Sequence, residues 1–172
     1  MNKKPLACKG EDMSSLRPMT EIEFAAWCDA IVPDYAAEKV QSGEWQESDA
    51  LVRSRESLDG LLPGGIETPD NHLFTIVGHD GESIGMLWFA VKERGGSRTA
   101  YVYNIAIDPR FRRQGHAEGA FRALEREAGR LGLKGIGLHV FGHNRGAISL
   151  YEKLGFEATD ITMFKSIDGA VR

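Results

Sequence analysis

Asp108-Pro109-Arg110-Phe111-Arg112-Arg113-Gln114-Gly115-His116-Ala117 is the stretch whose reading decides the fold. Before it, Thr99 to Ile107 is rich in Tyr, Val and Ile and reads as a strand that Asp108-Pro109 ends. After it, Ala120, Phe121, Leu124, Ala128 and Leu131 recur at helical spacing, and Gly132 closes the helix they mark. A strand-to-helix turn presents unpaired backbone N–H groups and the positive end of the helix dipole, so it can hold a phosphate or pyrophosphate. Gly115 allows close backbone approach, Arg112 and Arg113 add fixed positive charge, and the small Ala117 keeps the helix start uncrowded. The competing reading is an ordinary turn with a solvated basic face.

Working outward toward the N-terminus, Leu73 to Val77 and Ile84 to Val91 read as strands joined through a turn at Asp80-Gly81. A glycine-containing loop, Glu93 to Ser97, leads into Thr99 to Ile107. The three make an antiparallel meander. Leu16-Arg17 reads as a short edge strand stopped by Pro18. Thr20-Glu21-Ile22-Glu23 has capping-box spacing, and Phe24, Trp27 and Ile31 follow on one helical face until Pro33 ends or kinks it. A second helical stretch runs from Asp34 to Gln41. A third begins near Ser48, with Leu51, Leu58 and Leu62 on one face, and breaks at Pro63-Gly64-Gly65. Toward the C-terminus, Ile136 to Phe141 reads as a strand, Arg145 to Leu154 as a helix capped by Gly155, and Phe156 to Ser166 as one or two closing strands. A meander followed by alternating strands and helices implies an α/β, α+β fold: a twisted, mostly antiparallel mixed sheet flanked by about four helices. One domain over residues 14–168 is expected, after a flexible segment over residues 1–13, and the polar N-terminal stretch reads as loose up to Ser14-Ser15.

The 172 residues fit a single globular core, which at this length buries roughly 70% of the surface of its unfolded chain. Lys plus Arg number 21 and Asp plus Glu 25, a net charge of −4 that argues against a dedicated nucleic-acid binder. Charge is uneven: residues 1–70 carry fourteen acids and seven bases, whereas residues 109–134 carry seven bases and three acids. Cys8 and Cys28 have neither disulfide-framework nor zinc spacing, so no metal and a reduced cytoplasmic setting are expected. Met1 to Gly10 has positive charge without an apolar run behind it, and no run is long enough to span a membrane, so no secretion or membrane role is expected. Nucleotide fingerprints fail: Gly135-Ile136-Gly137 is followed by Val140 where a dinucleotide motif needs glycine, and no P-loop occurs.

Three segments in order resemble the GCN5-related N-acetyltransferase (GNAT) superfamily, and within it a largely uncharacterised bacterial subgroup. Arg112-Arg113-Gln114-Gly115-His116-Ala117 is similar to its R/Q-x-x-G-x-G/A signature. Tyr103-Asn104-Ile105-Ala106-Ile107 resembles the strand before that signature, and Asn144 through Phe156 resembles its N-x-x-A-x-x-x-Y-x-x-x-G-F segment. The resemblance implies acetyl-CoA as cosubstrate. Ile105, Ala106 and Ile107, where the family's strand bulges and splays from the next, would bind the pantetheine arm and polarise the thioester, and backbone groups of Arg112 to Ala117 would take the pyrophosphate. Asn144 and Ala147 would meet the cofactor arm, and Tyr151 would protonate the departing thiolate. A phenol with an ordinary pKa near 10 suits that general-acid task. The amine would attack directly, without a covalent enzyme intermediate. Family dimers are common, which makes a homodimer an expectation that no residue here fixes.

Each assignment has a structural counterpart. Tyr151 lies among Ile148, Leu150 and Leu154, where a tyrosine packs, and Asn144 can cap the helix that begins at Arg145. The strand Thr99 to Asn104 has no acid where some family members place a glutamate base. His139, His143, Glu67 and water are the candidates, with His72 and Glu67 as pocket-lining groups. The acidic N-terminal region, with Trp27, Tyr35, Glu38 and Trp45, suits a cationic amine or is simply core plus solvated helix faces. The function expected is acetyl transfer from acetyl-CoA to a primary amine of a small molecule, peptide or protein. The alternative is a non-catalytic acyl-CoA sensor, and a third reading has Arg110-Phe111-Arg112-Arg113 contact nucleic acid.

Overall fold

The computed structural model describes residues 14–165 and 167. It divides into two compact units, Met1–His139 and Val140–Arg172. The expected flexible segment over residues 1–13 lies outside the described residues.

The first unit holds a five-stranded sheet in sequential order: β1 (Ser14–Pro18), β2 (Asn71–Gly78), β3 (Ser83–Arg94), β4 (Ser97–Ile107) and β5 (Ile136–Leu138). Neighbours pair antiparallel except β4 and β5, which run parallel because a helix crosses between them. That helix, α3 (His116–Arg130), buries Ala120, Phe121, Ala123, Leu124 and Ala128. On the opposite face α1 (Glu21–Gln41) and α2 (Ala50–Leu61) cover a second core, in which Trp27, Val32, Leu58 and Leu62 meet Leu73, Met86 and Trp88.

The capping box at Thr20 forms as read: Glu23 N–H donates to the Thr20 hydroxyl, and the Glu23 carboxylate accepts from Thr20 N–H at 2.9 Å. Arg17 adds two bonds to the same carboxylate, at 2.7 and 3.1 Å. Pro33 does not end the helix; α1 runs through it. Proline forfeits the bond to the carbonyl four residues back, that of Asp29, and both residues lie on the exposed side where water can serve that carbonyl. The next helix begins at Ala50, with Asp49 as its N-cap, close to the expected start near Ser48. Its buried side is Ala50, Ser54 and Leu58, whereas Leu51 is exposed. Ser54 sits inside because its hydroxyl donates to the Val32 carbonyl at 2.8 Å, fastening α2 to α1.

Three further boundaries move. The Glu93–Ser97 loop contracts to Gly95-Gly96, both at positive φ, the geometry of a two-residue hairpin turn that lets β3 and β4 run long. Ser14, expected in a loose terminus, is a buried residue of β1: its hydroxyl meets His116 Nδ1 at 3.1 Å and packs on Gly119 of α3. The expected strand Ile136–Phe141 stops at Leu138.

The second unit contains α4 (Arg145–Lys153), followed by Gly155 at φ 86°. The closing strands expected over Phe156 to Ser166 do not form over residues 156–165, and Ser166 lies outside the described residues. A strand needs a neighbour to close its backbone hydrogen bonds, and α4 is the one regular element among this unit's described residues.

Candidate active site

Two features of β4 shape its exit toward the Asp108–Ala117 turn. First, the β3–β4 register shifts between Trp88 and Phe89: Trp88 faces Asn104 and Phe89 faces Val102, so Tyr103 is an extra residue, a β-bulge. Second, β5 pairs β4 only through Val102, so Tyr103 to Ile107 have no strand on their second edge among the described residues. Asp108 N–H donates to the Ile84 carbonyl on β3, so alternation turns the backbone groups of Ile105 and Ile107 to that open edge. Gly85 makes the approach possible. A Cβ there would collide with the Ala106 carbonyl oxygen and sit 3.1 Å from the Ile107 Cα.

The turn itself is braced and strained. Asp108 accepts from Arg110 N–H at 2.9 Å and from its guanidinium, and these hydrogen bonds, the side-chain ones first, hold the Asp108 carboxyl below its usual range. Arg112 Nε donates to the Ile107 carbonyl at 2.8 Å, and Gln114 Nε2 to the Arg110 carbonyl at 3.1 Å. Arg113 and Gly115 lie in the left-handed region, at φ 63° and 89°. Glycine adopts this freely, whereas an arginine seldom does and is held there at some cost. The N–H groups of Arg113, Gln114, Gly115 and Ala117 have no hydrogen-bond partner among the described residues, and Gly115 caps α3 without a side-chain bond. Left-handed residues alternating with ordinary ones turn successive N–H groups into one concavity, an anion nest. The residues fit a pyrophosphate, with Arg112 and Arg113 exposed beside it.

In the second unit, Asn144 caps α4 by accepting from Ala147 N–H at 3.2 Å. Tyr151 is half-buried on α4, its ring 5.6 Å from that of Phe156. His143 stacks on Phe141 at 5.5 Å.

The other expected site residues of the first unit scatter. His72 stacks on Phe89 at 4.7 Å on the α3 side of the sheet, where burial lowers its pKa and Glu127 and Arg130 lie near. It therefore does not share a pocket with groups on the α1–α2 face. Glu67 is exposed in a short 3-10 turn, Gly65–Glu67, and His139 is exposed just past β5. Trp27 is core, edge-on to Trp88 at 5.5 Å. Tyr35 and Trp45 do bind a cation, but it is the chain's own. The Lys39 ammonium sits 5.6 and 5.8 Å from their ring centres and bonds Glu44 at 2.6 Å. Burial opposes that charge, yet Glu44 and Tyr35 outweigh it and raise the lysine pKa. Glu38 is exposed on the same helix. No cluster able to hold a metal occurs among the described residues, and none of their helices is long and apolar enough to cross a membrane.

The sequence signals did not disclose the Ser14–His116 link or the Arg112 brace, and the bulge expected from the family resemblance falls at Tyr103. Gly85 was the one visible trace, an isolated glycine within a strand.

A bulged β4 with an open edge, a turn rich in unpaired N–H groups and a helix leading from it suit an acetyltransferase, and the chain matches the Acetyltransferase (GNAT) family over residues 25–156. It belongs to that family, whose members move the acetyl group of acetyl-CoA to an amine. It is 35% identical over 152 residues to the uncharacterised N-acetyltransferase YycN of Bacillus subtilis, covering 88% of this chain and 97% of the relative. The crystal structure of YycN superposes with a TM-score of 0.85 at 34% identity, over 90% of this chain and 98% of that one. A second B. subtilis relative, YdgE, likewise an uncharacterised N-acetyltransferase, is 32% identical over 153 residues, 89% of this chain and 98% of the relative. The fold is shared with AAC(6')-Iy, solved in complex with a bisubstrate analogue, CoA-S-monomethyl-acetylneamine. There the TM-score is 0.57 at 18% identity, over 89% of this chain and 97% of that one.

Proposed function

We propose that this chain transfers the acetyl group of acetyl-CoA to a primary amine of a small molecule, peptide or protein side chain, with Tyr151 as the general acid. The observation that carries the reading is the Arg112–Ala117 nest, with four N–H groups unpaired among the described residues and a strained arginine at its centre. The complex of AAC(6')-Iy with a coenzyme A-linked analogue supports the same ligand. The match over residues 25–156 supports one catalytic domain over residues 14–168.

In this reading the nest takes the pyrophosphate, and Arg112 and Arg113 add charge-assisted contacts. The open-edge backbone of Ile105 and Ile107, with Ala106 between them, takes the pantetheine arm and polarises the thioester carbonyl, and Asn144 and Ala147 meet the same arm. The neutral amine attacks the carbonyl carbon, forming the C–N bond. As the C–S bond breaks, the Tyr151 hydroxyl protonates the leaving thiolate. The proton shed by the amine passes to water or to His139, His143 or Glu67. The pH profiles of His139→Ala, His143→Ala and Glu67→Gln separate these routes.

The test is thiol release from acetyl-CoA against amines, polyamines, amino acids and peptide N-termini. Tyr151→Phe is expected to lower turnover about 100-fold at unchanged acetyl-CoA affinity. Cofactor binding without release for any amine would instead make the protein an acyl-CoA sensor.

A further inference from the structure

Among the described residues three buried side-chain atoms lack a hydrogen-bond partner: Trp27 Nε1, Asp49 Oδ1 and Asn104 Oδ1. The Asp49 carboxylate is engaged through its other oxygen, which meets Arg53 at 2.9 Å. Trp27 is locked by its ring into the α1–α2 core. Asn104 is different. It directly follows the bulge residue Tyr103, on the part of β4 whose second edge has no strand.

Its pairing with Trp88 puts Asn104 on the α1–α2 face of the sheet, with an aromatic row beside it. Tyr103 stacks on Trp88 at 4.5 Å, and Tyr101 meets Tyr103 edge-on at 5.0 Å. The Trp88 N–H is already spent on Asn71 at 2.8 Å, so it does not serve Asn104. A buried amide oxygen with nothing to accept is costly, and a strand position otherwise flanked by apolar groups has no structural need of asparagine. The residue as a whole is only half-buried, and its terminal torsion is soft, so a small rotation presents the oxygen at the open edge.

We propose that Asn104 Oδ1 accepts a hydrogen bond from the N–H of the incoming amine, placing the nitrogen beside the backbone of Ile105 and Ile107 with its lone pair free to attack. The inference rests on the acetyl-transfer reading above. An amide cannot take up the proton, so Asn104 binds and orients the amine while the base lies elsewhere. The aromatic row selects primary amines carried on an apolar or aromatic body.

Asn104→Leu removes the oxygen at similar volume, and Asn104→Asp keeps an acceptor. With 2-phenylethylamine, spermidine or an alanine-initiated tetrapeptide as acceptor, Asn104→Leu is expected to raise the KM for amine at least 10-fold. Its acetyl-CoA dissociation constant should stay within 2-fold and its melting temperature should not fall, while Asn104→Asp recovers most of the amine affinity. Amine kinetics unchanged in Asn104→Leu, or lost in step with cofactor affinity and thermal stability, would overturn the proposal. If wild-type protein releases no thiol with any of these amines, acetyl transfer to them fails, and the Asn104 side-chain amide resonance decides separately. A shift on titrating the same amines, absent in Asn104→Leu, upholds the contact, and no shift overturns it.

Discussion

Gly85 and Arg113 both bear on the proposed cofactor site and respond oppositely to substitution. At Gly85 even a methyl group must displace the Ala106 carbonyl, which lies in the backbone and cannot step aside cheaply. Gly85→Ala is therefore expected to destabilise the fold by about 3 kcal/mol, read as a shift in denaturant midpoint. It should also weaken acetyl-CoA binding, because the open-edge backbone of Ile105 to Ile107 moves with it. A change below about 1 kcal/mol would show that β4 yields more easily than its register implies. Arg113 already occupies the left-handed region at φ 63°. Arg113→Gly relieves that strain, so stability should rise by about 1 kcal/mol while acetyl-CoA affinity falls severalfold with the lost charge. Stability and affinity falling together would mean that the arginine is held by contacts rather than kept for the ligand.

The N-terminal helix shows what a local pattern can and cannot convey. Thr20 and Glu23 were readable because a capping box is complete within four residues, and its chemistry carries a pH dependence. The Arg17 bonds, with help from Thr20, hold the Glu23 carboxyl down at about 2 against burial, which opposes them. A carboxyl depressed in the folded state contributes stability fully above its ordinary pKa, near 4.3, and loses it as pH falls toward 2. Glu23→Gln should therefore lower the melting temperature at pH 7 and matter little at pH 2, and an equal effect at both would show that the charge is irrelevant. Pro33 illustrates the opposite case. Whether a proline ends a helix depends on where the orphaned carbonyl points, and only the packed structure tells which side of α1 faces water. Pro33→Ala should restore the bond to Asp29 and stabilise by about 2 kcal/mol, visible as a raised melting temperature. The same division holds at the site. The turn from Asp108 to Ala117 was legible because its signal is contiguous. The Ser14–His116 link and the Lys39 cage were not, because each joins residues whose meeting depends on register or helix packing. The closing strands failed for the related reason that a segment's own residues state a capacity to pair and cannot supply the partner.

Across the whole molecule the charges of the acidic N-terminal region and of the basic 109–134 segment act on an anionic ligand with opposite sign and different reach. The net charge of −4 repels a polyanion such as acetyl-CoA at long range, whereas Arg112, Arg113 and the exposed N–H groups of the nest attract it at contact. Salt separates the two. The screening length falls from about 30 Å at 0.01 M to about 10 Å at 0.1 M and about 3 Å at 1 M. Over the first interval salt removes the distant repulsion and part of the local attraction together, so acetyl-CoA affinity should change little. Over the second, the repulsion is already screened and only the attraction remains to be lost, so affinity should fall several-fold. Titrating acetyl-CoA at 0.01, 0.1 and 1 M salt checks this, with Arg112→Gln and Arg113→Gln as controls expected to flatten the second interval and, with part of the attraction gone, to let affinity rise over the first. A steep, uniform decline from the lowest salt upward would instead mean that the basic segment dominates the field at every distance, and the acidic N-terminal region would then have no part in how the ligand arrives.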